Sequence, residues 1–214
     1  MKNYVITIED LEQSVQTANR CIKSAKKFGL DVQKWNAITP RNTNIYSKLR
    51  DESIDAIGFE EIYSRTDNCI AAFLSHFSLW KECAIGTETF TIFEHDAVVV
   101  NYIPEVVFDK VISLGKPSYG RYNTPQLLGV NPLVSKRYFP GAHAYRITPA
   151  GAQALVTQAK IKAKPTDIFL NIDTFPFLQE IYPWPVEAVD SFTTIQNERG
   201  CLAKHSWGET YEIL

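Results

Sequence analysis

The stretch NYVITIEDLEQSVQTANRCIKSAKKFGLDVQKWNAI, residues 3–38, reads as strand, helix, strand. Asn3–Ile8 is short, aromatic and β-branched, and the chain turns acidic at Glu9-Asp10. Leu11, Val15, Ala18, Ile22 and Ala25 then recur at alternating steps of four and three, one apolar face of a helix over residues 10–28. Gly29 supplies its stop, and Val32–Ile38 the next strand. A βαβ unit of this length brings its second strand back parallel to the first. The expected fold class is α/β: one domain, with a Rossmann-type, mostly parallel sheet flanked by helices.

Composition agrees. The chain has 214 residues, 45% of them hydrophobic, enough for one substantial core. Its 21% charged and 12% aromatic content excludes a disordered, collagen-like or coiled-coil chain. No apolar run approaches the roughly 20 residues that cross a bilayer, and the apolar start is too short for a signal-peptide core. Cys21, Cys69, Cys83 and Cys201 are scattered and form no C-x-x-C pair, which argues against a disulfide framework or a thiolate zinc site. A cytoplasmic protein, in a bacterium or a virus-infected host cell, is expected.

Further along, CIAAFLSHFSLWKEC, residues 69–83, is helical and apolar on two faces, hence buried. Phe90-Thr91-Ile92-Phe93 is a strand that ends on Glu94-His95-Asp96. Acids at the carboxyl end of a buried strand stand where an open α/β sheet places its ligand. Residues 104–114 are expected to be a short helix, Ser118–Tyr122 a short strand, and Tyr138–Thr148 strand-like. Thr148-Pro149 and Pro165-Thr166-Asp167 both read as helix starts.

Charge is uneven along the chain. Residues 111–164 carry eight basic side chains and no acid, although the whole chain is only −2. This run either forms a surface for a polyanion or diphosphate, or scatters over unrelated faces on folding.

The candidate chemistry is carboxylate chemistry. In an extended segment Glu94 and Asp96 point the same way and can converge on one cation or sugar, while His95 points opposite. Oxygen ligands suit Mg2+ or Mn2+, and a site with few protein ligands leaves room for substrate phosphates. His76 reads as a hydrogen-bonded core histidine, His143 sits among small residues where a ligand can approach, and His205 lies in a polar segment. Asp167 and Asp173 flank an apolar helix, and each can serve as a base or, for Asp167, as a helix-terminal charge. There is no G-x-S-x-G, P-loop or G-x-G-x-x-G.

Taken in order, CIAAFLSHFSLWKEC, FTIFEHDAVV, PGAHAYRITPAGAQALV, KPTDIFL and YPWPVEAV resemble glycosyltransferase family 25, the lipopolysaccharide- and collagen-type sugar transferases. The resemblance spans about residues 3–195. It implies a GT-A-like fold, with a nucleotide-sugar half over about residues 1–100, an acceptor half over about 101–195 and a C-terminal tail over 196–214. It further implies a metal-dependent, inverting transferase using Mn2+ or Mg2+, with Glu94 and Asp96 around the metal, over which the His205 imidazole can close. Donor binding falls to Glu94, Ile6, Thr7, Ser75 and His76, and acceptor binding to Gly141, His143, Tyr145, Arg121 and Arg146. Asp167 is the first choice of base and Asp173 the second. The family shows Glu-Asp-Asp after the strand; here His95 replaces the middle acid.

The expected donor is a nucleotide sugar, foremost a UDP-sugar. The acceptor is a surface glycan of lipopolysaccharide type or a hydroxymethylated base of viral DNA, since an acid-free run suits either polyanion. The alternative is a non-catalytic glycan-binding or assembly module on the same fold. Oligomeric state is left open.

Overall fold

The computed structural model describes residues 1–60, 64–189, 192–196 and 212–214. The opening unit forms as the sequence predicts: β1 (Lys2–Thr7), α1 (Glu12–Lys27) and β2 (Gln33–Asn36), with β2 parallel to β1. There follow α2 (Ile45–Asp51), a 3-10 turn at Ile57–Phe59, α3 (Thr66–Ile85), β3 (Phe90–Glu94), β4 (Ala97–Val99), β5 (Val111–Ser113), β6 (Gly129–Pro132) and β7 (Ala144–Ile147). The chain continues through α4 (Pro149–Ala159), α5 (Thr166–Phe169), β8 (Leu178–Tyr182), β9 (Val186–Ala188), β10 (Phe192–Thr193) and β11 (Glu212–Ile213).

Seven strands make the central sheet, in the order β2-β1-β3-β7-β5-β8-β6. Pairings β1–β2, β1–β3 and β5–β8 are parallel; β7 and β6 pair antiparallel with their neighbours, so five of the seven strands run one way. This is the expected α/β sheet flanked by helices, with two strands reversed.

Alternation along the strands divides the core into two layers. Ile6, Ile92, Val111, Tyr145 and Ile147 face the layer built by α3, α4 and α5. Val5, Phe93, Ile112 and Ala144 face the other, against Ala18, Cys21 and Ala25 of α1. α3 is the centre of the first layer, with Ile70, Phe73, Leu74, Phe77, Leu79 and Trp80 all buried. Trp80 stacks on Phe169 of α5 at 5.5 Å between ring centres, and Phe73 meets the same ring edge-on at 5.5 Å. That packing brings α5, with Asp167 on its first turn, back to α3.

Thr148 caps α4 as its residue type predicts, its side chain accepting from the Gly151 amide at 3.1 Å, with Pro149 next in line. Two local expectations are corrected. Residues 104–114 are not a helix: Val107 is almost fully exposed, so no apolar face runs along the segment. Val111–Ser113 instead pairs with β7 and β8. Ser118–Tyr122 is irregular and not a strand, broken at Gly120 by a left-handed backbone, φ +67°. No helix among the described residues is long and apolar enough to cross a membrane.

Candidate active site

A cleft of about 710 Å³ opens at the carboxyl ends of β1, β2 and β3. That is the end of an open sheet where the backbone leaves the layer and side chains can face a ligand. Ile6 lines it from β1 and Ile8 from just beyond, residues 37–41 from beyond β2, and Glu94 from the last position of β3 with His95 and Asp96 in the turn that follows. Asn68, Ala72, Ser75 and His76 line it from α3, Gly141 and His143 from the approach to β7, and Asp167 from α5. Glu94, Asp96 and Asp167 therefore share one cavity although 71 residues separate Asp96 from Asp167.

Glu94 is held from behind by a buried chain of hydrogen bonds. Trp80 Nε1 donates to the Tyr145 hydroxyl at 2.7 Å, Tyr145 lies 2.9 Å from His76 Nδ1, and His76 Nε2 lies 2.9 Å from Glu94 Oε1. Burial pushes the His76 imidazole down to about 3, so it is neutral and carries one proton. A carboxylate can only accept, so that proton sits on Nε2 and Nδ1 receives the Tyr145 O–H. His76 and Glu94 thus form a hydrogen bond from a neutral ring, not an ion pair.

Asp96 follows in a turn, not an extended segment, yet its side chain reaches the same cleft as that of Glu94. Its Oδ1 is buried and makes no hydrogen bond among the described residues. His95 also lines the cleft, where opposite orientation was expected, because the turn abolishes strict alternation. Its Nδ1 is 2.8 Å from Ser14 Oγ, which accepts the Ile8 amide at 2.9 Å and so ties the ring to the end of β1. Burial lowers the affinity of His95 and of His143 for a proton, and the Asp96 charge partly offsets this in both.

Asp167 is half-buried. Its Oδ2 accepts from the Tyr119 hydroxyl at 2.5 Å and its Oδ1 from the Ile168 amide at 2.9 Å. Desolvation raises its proton affinity above the ordinary value for an aspartate, and these donors partly offset the rise. Gly141 makes the turn that carries His143 past it: φ is +80° there and +46° at Ala142, a left-handed pair that suits glycine at its first position.

Several predicted residues lie elsewhere. Thr7 is fully buried on β1 with its hydroxyl on the Val5 carbonyl, facing away from the cleft. Tyr145 is buried beneath His76 and lines neither this cleft nor the one beside it, and Arg146, on the opposite face of β7, is buried with Nη1 on the Pro104 carbonyl at 2.6 Å. Alternation along β7 sends these two side chains to opposite layers, so neither reaches an acceptor. Asp173 is exposed and ion-paired with Arg137 in an adjoining second cleft and does not line the first, and Arg121 likewise lines only that second cleft. Ser75 lines the first cleft, but its hydroxyl is engaged, accepting from the Ile38 amide and donating to the Ala71 carbonyl. His205 and Cys201 lie outside the described residues.

Asn68 and Tyr119 line the cleft without a site role assigned from the sequence. Asn68 precedes Ala72 and Ser75 by four and seven residues, the helical spacing that marks one face, so periodicity was the available signal. Tyr119, 48 residues before Asp167, has no local signal at all.

Among the described residues no three His, Cys, Asp or Glu side chains gather as a metal site. The unpartnered Asp96 Oδ1 beside Glu94 fits a cation that takes its remaining ligands from phosphate oxygens and water.

The model of glycosyltransferase family 25 (LPS biosynthesis protein) matches residues 1–116. The matched span holds Ser75, His76, Glu94 and Asp96; Gly141, His143 and Asp167 lie beyond it. No curated protein matches the chain significantly.

Proposed function

The chain belongs to glycosyltransferase family 25, the LPS biosynthesis proteins, a family of sugar transferases, and on that premise we propose how this cleft works. It takes a nucleoside-diphosphate sugar, foremost a UDP-sugar, and moves the sugar to an acceptor hydroxyl with inversion at the anomeric carbon. The observation that carries this reading is the convergence of Glu94, Asp96 and Asp167 in one cavity at the carboxyl ends of the strands.

Asp167 is the base. Its desolvated carboxylate is more basic than an ordinary one and so better suited to accept the acceptor's hydroxyl proton as the new glycosidic bond forms. Tyr119 and the Ile168 amide hold it in place. Glu94, locked by neutral His76, orients the donor sugar. Asp96, with Glu94, would hold Mg2+ or Mn2+, which when bound supplies positive charge for the departing diphosphate. The apolar wall of Ile6, Ile8, Leu11, Ala37 and Ile38 suits a nucleoside base and excludes water from one side of the donor.

The test is release of UDP from a panel of UDP-sugars, with and without candidate acceptors, in the wild type and in Asp167→Asn. The amide keeps the shape but accepts no proton, so turnover should fall by about 10²–10⁴ while the donor KM changes little. Turnover within a few-fold of wild type would remove Asp167 from the chemistry.

A further inference from the structure

Next to the first cleft lies a second, wider one of about 1120 Å³, lined by Arg121, Lys136, Arg137 and Lys164. Asp173 is the single acid among its described lining residues, leaving a surplus of three positive charges. Asp173 is taken up by Arg137. Lys136 is held in place: Nζ donates to the Tyr119 carbonyl at 2.7 Å and lies 4.9 and 5.4 Å from the Tyr119 and Tyr138 ring centres. Gly120 admits it, since a Cβ there would come within 2.9 Å of Nζ. Arg121 and Lys164 have no ion pair or side-chain hydrogen bond among the described residues.

The two clefts share a wall, because Tyr138 and Ile168 line both, and Ile168 adjoins Asp167 in sequence. Tyr119 spans the junction, with its hydroxyl on Asp167 and its carbonyl on Lys136. We propose that the second cleft is an acceptor subsite for a sugar bearing a phosphate or carboxylate group, held by Arg121, Lys136 and Lys164 while a neighbouring hydroxyl faces Asp167. The hydroxyl's role rests on the transferase reading above; the anion's does not.

A small anionic sugar suits this charge pattern better than a nucleic acid does. A duplex presents one negative charge per roughly 1.7 Å of its axis and needs an extended basic stripe. The acid-free run does not build one: Lys116 is paired with Glu187 at 3.0 Å, Arg137 with Asp173, and Arg146 is buried.

The experiment is an amide NMR titration of the full chain with glucose 6-phosphate, glucuronate, glucose and inorganic phosphate, each separately. Glucose 6-phosphate and glucuronate should shift amides of residues 120–123, 135–138 and 164–174, and glucose should not. Arg121→Gln combined with Lys164→Gln should weaken that binding about tenfold, as loss of charge-assisted hydrogen bonds at a solvent-facing site does. Thermal unfolding of the double variant reports that it is folded. Equal binding by the variant, equal shifts from glucose, or no shifts in the second cleft would overturn the proposal. Inorganic phosphate binding as tightly as the sugar phosphate would mark a bare anion site and overturn the acceptor role. A hydroxymethylated DNA duplex bound here more tightly than the sugars, with a steep salt dependence, would also overturn it, in favour of a nucleic acid. Titration with UDP reports separately on the first cleft. Failure of UDP to bind the wild type defeats the donor reading, and the sugar-phosphate shifts still decide the second cleft.

Discussion

Lowering the pH from 7 to 5 should destabilise the fold through His76. The ring is buried on α3 between Tyr145 and Glu94, and burial lowers its proton affinity from 6.5 to about 3. Between those values the unfolded chain binds a proton at this position and the native state does not, so stability rises with pH across the window and falls on acidification. Each pH unit below 6.5 removes about 1.4 kcal/mol, and the loss from pH 7 to pH 5 comes to about 2 kcal/mol from this residue alone. His95 and His143 are lowered by burial as well and act in the same direction, so the wild-type curve by itself does not isolate His76. His76→Gln does: it keeps an N–H donor near Glu94 but does not titrate. Urea unfolding of both proteins at pH 7 and pH 5 should show the variant less stable at pH 7 and the gap narrowing by about 2 kcal/mol at pH 5. Parallel loss of stability in the two proteins would refute a neutral, buried His76 and with it the proton placement deduced for the Trp80–Tyr145–His76–Glu94 chain.

Tyr119→Phe removes a donor that lowers the proton affinity of Asp167, so the acid limb of the pH–rate profile should move to higher pH; an unmoved limb would show that Asp167 is not the titrating base. Asp96→Asn should raise the Mn2+ concentration needed for half-maximal UDP release, and excess chelator should abolish the release; full turnover in chelator would end the metal role of this acid. Gly115→Ala places a Cβ 2.4 Å from His143 Nε2, inside a buried ring's contact distance, and overpacking of this kind destabilises by about 1–3 kcal/mol. An unchanged urea midpoint would show that the His143 ring can move aside.

How far the site was legible depends on the distance over which each signal acts. The Thr148 cap and the opening βαβ unit were readable because capping and periodicity involve neighbours a few residues apart. The acids at the end of β3 were readable because a strand buried along its length can carry a charge only where it leaves the sheet. Arg146 was misread for the opposite reason. A basic residue beside Tyr145 looks like surface chemistry, yet β7 lies between β3 and β5, and both of its faces are covered. The acid-free run likewise divided. Arg121, Lys136 and Arg137 meet Lys164 in one cleft, while Lys116 and Arg146 find partners elsewhere.

The sequence by itself determined the α/β class, the buried character of α3 and the placing of Glu94 and Asp96 at a strand end. These follow from hydrophobic period and from residues adjacent along the chain. Only the tertiary structure decided that Asp167 joins them, that Tyr119 holds it, and that Tyr145 supports Glu94 from below without facing a ligand. The order of strands in the sheet and the stacking of Phe169 on Trp80 rest on pairings between residues tens of positions apart. Such pairings leave no periodic mark in the chain, because whether two distant side chains meet depends on how the whole core packs.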